Sequence, residues 1–284
     1  MRDRRYPSST NTLLQDKEQL GQFTYQIIGI NDLEQTLTMD YASVSNIVGK
    51  AQTKRILLPT LHEAKLLLDK YIDDIDFVHH ITHTPSLVAA VEEIYASLSN
   101  SGQAKVGHVI LLLSIIGSAS YSWTEMDDKR DLFPSPAHAH IQSSFWIKAG
   151  QELLDVVHRS TNSSIEAVQG AIILAFVAVH HEDVPSPFNT MLSMALQMAR
   201  NLGLHRLDHP SAAADNVKPV YAEVGRRVWW YLVSSDWYVR KILLRCQALT
   251  DLQQVPCVQV RRPGGRDVSV PATPNDYQEA FEPG

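Results

Sequence analysis

A helix with an explicit stop, followed by a second helix that starts with acid and carries two adjacent tryptophans, constrains this chain most. Leu192, Ala195, Leu196, Ala199 and Leu202 fall at i, i+3, i+4, i+7 and i+10, which is one face of an α-helix. Gly203 follows the last of them, where a residue without a Cβ adopts a left-handed cap at least cost. His205 and Arg206 come just after, placed to reach the unpaired carbonyls of the helix end. The chain restarts at Glu223, near the positive end of a new helix, and sets Arg226 and Arg227 directly before Trp229 and Trp230. Two helices joined by a polar loop imply antiparallel neighbours.

The same kind of signal recurs upstream. Thr60 and Glu63 have the spacing of a capping box, ahead of a face formed by Leu61, Ala64, Leu68, Tyr71, Ile72 and Ile75. Thr84-Pro85 opens a second helix, with proline at its tolerated first position. A third, over 105–121, is apolar on most sides and should be central to the core. A fourth is expected over 138–157. Ser163 and Glu166 then read as a second capping box, for a helix running to Ala178. Strand-like alternation is not seen before Val268-Ser-Val270. The fold class is therefore all-α, with antiparallel helix pairs in a multi-helix, bundle-like domain. No fixed-period repeat is found. Residues 1–55 read as a poorly ordered leader or linker remnant and 56–240 as the helical domain. Residues 241–284 read as an insert plus an incomplete C-terminal part, so the domain is expected to be truncated at that end.

Composition narrows the function classes. Of 284 residues, 44% are hydrophobic and 20% charged, which is globular rather than disordered. A formal net charge of −6 has the wrong sign for a chain that wraps phosphate backbones. Arg2, Arg4 and Arg5 form a terminal basic group that reads as a solvated tail. Cys246 and Cys257 are too few for a disulfide framework and suit a reducing compartment. The polar amino end lacks a secretory apolar segment, and the run Val109 to Ile116 falls short of the ~18–20 residues that span a membrane. A soluble intracellular protein is expected.

Twelve histidines invite a metal hypothesis. His79, His80 and His83 cluster, as do His138 with His140 and His180 with His181, yet none gives H-E-x-x-H or pairs with cysteine at zinc spacing. Nucleophile-elbow, phosphate-loop and dinucleotide glycine patterns are absent too. Catalytic residues and metal ligands are both read as none, and the chain as not an enzyme.

The residues Ala199, Arg200, Leu202, Gly203, Leu204, His205 and Arg206, then Glu223, Arg226, Arg227, Trp229, Trp230 and Asp236, closely resemble the middle homology region of the fungal-specific transcription factor family. Its pattern is A-R-x-L-G-L-H-R, a variable loop, then E-x-x-R-R-x-W-W and a following Asp. Arg262-Pro263 and Asp267 to Pro271 look like the family's next corner, displaced by the insert centred on 241–260. The resemblance implies a nuclear regulatory domain of a fungal zinc-cluster-type regulator. DNA binding and zinc belong to the family's six-cysteine cluster, which two cysteines cannot build, so no cofactor and no DNA-contacting residue is expected in this chain. The implied partners are the transcription machinery or a regulatory protein, a small-molecule effector, or a second copy of the chain, with no membrane. The alternative is a stand-alone helical module for interaction or small-molecule sensing, without DNA binding.

Trp230 and Trp237 are seven apart on one helix face. As core anchors they would bury large rings, which is the favoured reading; as a ligand wall they would line a sensor pocket. Asp236 pairs either with Arg240 on its own helix or with Arg200 or Arg206 of the preceding one.

Overall fold

Glu63 closes the expected capping box and does more. Its N–H donates to Thr60 Oγ1 (3.4 Å), and its carboxylate accepts from Thr60 N (2.8 Å). The other carboxylate oxygen accepts from Ile30 N (2.9 Å). The cap of α1 (Leu61–Asp74) thereby holds a 3-10 turn, Ile30–Asp32, that lies far upstream. This computed structural model describes residues 23–33, 54–160, 163–181, 186–208, 218–253, 257–261 and 267–271.

Within the segment 1–55, expected to be a poorly ordered leader or linker remnant, residues 23–27, 30–32 and 54–55 take regular structure. β1 (Phe23–Ile27) pairs in parallel with β2 (Lys54–Leu58), Phe23 opposite Lys54 and Ile27 opposite Leu58. Ile30 and Leu33 are completely buried, as is Leu58. Parallel pairing joins segments distant in sequence, so no local pattern announces it. Residues 1–22, with Arg2, Arg4 and Arg5, and residues 34–53 lie outside the described part.

Helices dominate the remainder. After α1 come α2 (Asp76–His79), α3 (Thr84–Ser101), α4 (Val106–Tyr121), α5 (Pro136–Arg159), α6 (Ile165–His181), α7 (Ser186–Asn201) and α8 (Pro219–Gln253). The fold is mostly all-α. The apolar α4 is the central helix, buried without a break from Val109 to Ser120 and packed by α1, α3, α5 and α6. Small residues let its neighbours close in. A Cβ on Gly170 of α6 would stand 2.7 Å from Ile110 Cγ2 and 3.1 Å from the Leu111 backbone N. A side chain there would force the α4–α6 crossing to shift.

One detail differs from the sequence reading, and one buried charge pair is visible only in the fold. The cap of α6 is Ser164, whose Oγ accepts from Ala167 N (3.2 Å), one residue later than expected. Lys70, on the core side of α1, is buried with its Nζ 2.8 Å from both Asp127 and Asp74. Asp127 also accepts from Thr124 N (2.9 Å), so this buried charge pair has further hydrogen-bond support.

The chain divides into two units, Met1–Ser235 and Asp236–Gly284. In the second unit α8 continues to Gln253, into the stretch expected to be an insert. Beyond Gly225 no glycine or proline occurs before Pro256, so nothing in the sequence stops the helix earlier. β3 (Cys257–Arg261) then pairs antiparallel with β4 (Asp267–Pro271), the segment expected to be a strand.

Candidate functional site

The turn between α7 and α8 gathers most of the signature residues. Gly203 takes the left-handed conformation (φ 74°) that the sequence predicts for it. Its N–H donates to Arg200 O (3.0 Å), and Leu202 N donates to Met198 O (3.0 Å), so the helix end is closed by its own backbone. A 3-10 turn, Leu204–Arg206, follows, with Leu204 buried and His205 and Arg206 exposed. In the first turns of α8, Val224, Val228 and Leu232 stand four residues apart and are all buried. Gly225 sits where a Cβ would meet Leu207 Cδ1 at 2.6 Å, so the helix approaches the turn closely.

Charge completes the junction. Arg226 Nε donates to Asp208 Oδ1 (2.6 Å), and Arg227 Nε donates to Glu223 Oε1 (2.9 Å). Arg226 Nη1 also reaches Glu223 Oε2 (3.4 Å). The carboxylates are thus shared between the two arginines and the preceding turn. The His205 and Trp229 rings lie 5.6 Å apart at 48°, joining the two halves of the signature through an aromatic contact. Asp208 was not singled out from the sequence. It stands two residues past Arg206, where a variable loop begins, and only the fold shows that it meets Arg226.

Other expected residues fall elsewhere. Arg200 is exposed on the last turn of α7. Asp236 begins the second unit, and Pro263 lies outside the described residues. Trp230 does not serve as a core anchor: its side chain is 61% exposed, and Trp237 is 63% exposed. The buried seam is set by Val224, Val228 and Leu232, and Trp230, two residues from both Val228 and Leu232, falls nearly half a turn away from that line. Trp229 is the partly buried member of the pair.

A cavity of about 430 Å³ opens in the first unit, between α3, α4, α6 and the start of α8. Leu87, Leu111, Ile165 and Val224 form its apolar wall, and neither Trp230 nor Trp237 lines it. Among the described residues, no group of three or more His, Cys, Asp or Glu side chains could hold a metal ion. No described helix is long and apolar enough to cross a membrane.

A comparison with known protein families covers this same region. The family model described as the fungal specific transcription factor domain matches residues 56–243. The match takes in the whole α7–α8 junction and stops before the Arg262-Pro263 corner. The chain is 37% identical over 188 residues to the probable transcription factor lepB of Aspergillus flavus, covering 64% of this chain and 33% of that protein. It is 26% identical over 232 residues to the agnestins biosynthesis cluster transcription factor AgnL11 of Paecilomyces divaricatus, covering 78% of this chain and 33% of that protein. The transcriptional regulator AacuB of Aspergillus aculeatus is 22% identical over 168 residues, 58% of this chain and 21% of that one. In the first two cases the matched region is about a third of the relative's length. No solved structure matches the chain.

Proposed function

The chain belongs to the fungal specific transcription factor domain family, and on that premise we propose that it is the regulatory, non-DNA-contacting part of a nuclear transcription regulator. The observation that carries this reading is the engagement of Arg226 and Arg227. A paired-arginine motif is a natural phosphate clamp when free. Here both guanidiniums face Glu223, and Arg226 faces Asp208 as well, so their charge is matched within the fold. The net charge of −6 points the same way. DNA would be read through a zinc cluster outside this chain, and this domain would restrain or release that activity.

The means of control is contact with other molecules. Trp230 is a large exposed ring beside the junction, the type of residue enriched at protein interfaces. A regulatory protein or the transcription machinery bound there, or an effector bound in the cavity, would shift the domain between two conformations by its differential affinity for them.

A gel-shift titration of the purified chain against duplex DNA tests the first part. Weak binding, without sequence preference and lost as salt rises, is expected. A salt-resistant, sequence-specific complex formed by this chain alone would overturn it.

A further inference from the structure

We infer that the cavity between α3, α4, α6 and the start of α8 is a binding site for a small amphipathic organic cation, a protonated amine carried on an apolar body. Its volume, about 430 Å³, lies within the range of small-molecule sites. The decisive feature is the kind of polar group in its wall. Glu93 and Glu166 stand on either side of His108: His108 Nδ1 is 3.5 Å from Glu93 Oε2, and Nε2 is 3.8 Å from Glu166 Oε1. Gln169, 5% exposed, also lines the cavity. Its Nε2 is spent on Ile81 O (2.6 Å), so the amide oxygen is the end left for a bound molecule. Glu93 already holds Lys105 Nζ at 2.6 Å, so the Glu166 carboxylate and the Gln169 amide oxygen are the principal acceptors for an ammonium, which supplies up to three donors.

Two further observations bear on charge. His108 Nδ1 is buried and makes no hydrogen bond, although Glu93 is near, so this wall contains a polar atom still without a partner. Burial pushes the Glu166 carboxyl up, but the nearby His108, its own backbone N–H and Ser164 outweigh it, leaving the group below the usual range and ionised at neutral pH. An ionised carboxylate in a partly desolvated wall attracts a cation strongly and repels an anion. Opposite this end, Leu87, Leu111, Ile165 and Val224 offer a surface for the apolar body.

The site also touches the signature junction. Val224 lines the cavity and belongs to the buried seam of α8, next to Glu223 and Gly225. Lys218, Val220 and Tyr221 bring the first turn of α8 to the cavity as well. A molecule seated here would tie the start of α8 to α3 and α6. The binding itself is independent of the transcriptional reading; only its regulatory consequence rests on that reading.

The test uses the intact purified chain and three probes of matched shape: phenethylamine, phenethyl alcohol and phenylacetate. Thermal shift and calorimetry at neutral pH should show the amine binding at least about tenfold tighter than either analogue. Glu166→Gln should remove most of that preference. Ala90→Trp, which fills the cavity while leaving its charged side chains in the sequence, should abolish binding of all three, and it decides the matter should Glu166→Gln fail to fold. Equal binding of the three probes, no binding of the amine at millimolar concentration, or amine binding unaffected by Ala90→Trp would each overturn the assignment. Any of those failures would leave the regulatory reading standing, since that reading is tested on DNA and in cells.

Discussion

Arg226 Nε lies 2.6 Å from Asp208 Oδ1, so a side chain of the second signature helix grips the turn that ends the first. Both partners are largely exposed, at 40% and 64% of their side chains, so the pair acts in water and is open to salt. It sets the register of the junction more than it stabilises the fold. Singly and together, Arg226→Ala and Asp208→Ala should lower the melting temperature only slightly. The coupling in that double-mutant cycle should vanish at high ionic strength, when thermal unfolding is compared at low and high salt.

Exposure of Trp230 predicts a contrast with Trp146, which is completely buried in α5. Trp146→Ala should destabilise by about 3–5 kcal/mol, from lost burial and the cavity left behind. Trp230→Ala should cost less than about 1 kcal/mol, because most of its surface already meets water. Chemical denaturation of the two variants measures both. A large loss for Trp230→Ala would return that ring to the core.

Gly170 and Gly225 both sit at close approaches, yet substitution should separate them. At Gly170 the obstacle includes the Ile110 and Leu111 backbone, which cannot swing away. Gly170→Ala should therefore cost about 1–3 kcal/mol through overpacking. At Gly225 the nearest obstacle is the tip of the Leu207 side chain, which can rotate aside. Gly225→Ala should be close to neutral, and urea unfolding of the two variants gives the comparison.

His79 predicts the response to acid. Its ring is buried edge-on to Phe176 (4.9 Å) and near Tyr231 (5.5 Å), and neither ring nitrogen has a hydrogen-bond partner. Burial lowers its pKa from 6.5 to about 4, partly opposed by the charge of Asp76. The unfolded chain therefore takes up this proton before the folded one does. The stability associated with neutral His79 is fully present above pH 6.5 and falls as the pH drops toward 4. The loss over that window should be about 2–3 kcal/mol, and His79→Leu should flatten it. Glu93 and Glu166, whose pKa values are lowered from 4.5, begin to lose their contributions only as the pH falls through 4.5, so the His79 loss sets in first.

What the sequence made legible was local. The Thr60–Glu63 box, the Gly203 cap and the all-round apolar α4 are signals carried by a few neighbouring residues, and the fold contains all three. What stayed hidden depends on distant partners. β1 finds β2 across a long intervening segment, and Lys70 finds Asp127 on a separate turn. The helical period groups Trp230 with an apolar run but does not say which side of α8 meets the bundle. Val224, Val228 and Leu232 settle that, leaving Trp230 outside. The site behaved likewise: Glu223, Arg226 and Arg227 were visible as a motif, while Asp208 needed the fold to bring it to Arg226.

The central claim is that this domain controls an activity encoded outside it. A reporter assay in a fungal host tests it most directly, with the chain placed between an unrelated DNA-binding domain and an activation domain. The intact chain should change output relative to a flexible linker of equal length, and Trp230→Ala or the reversal Arg226→Glu should shift that output while protein level is unchanged. Output equal to that of the linker, unmoved by either substitution, would contradict the account.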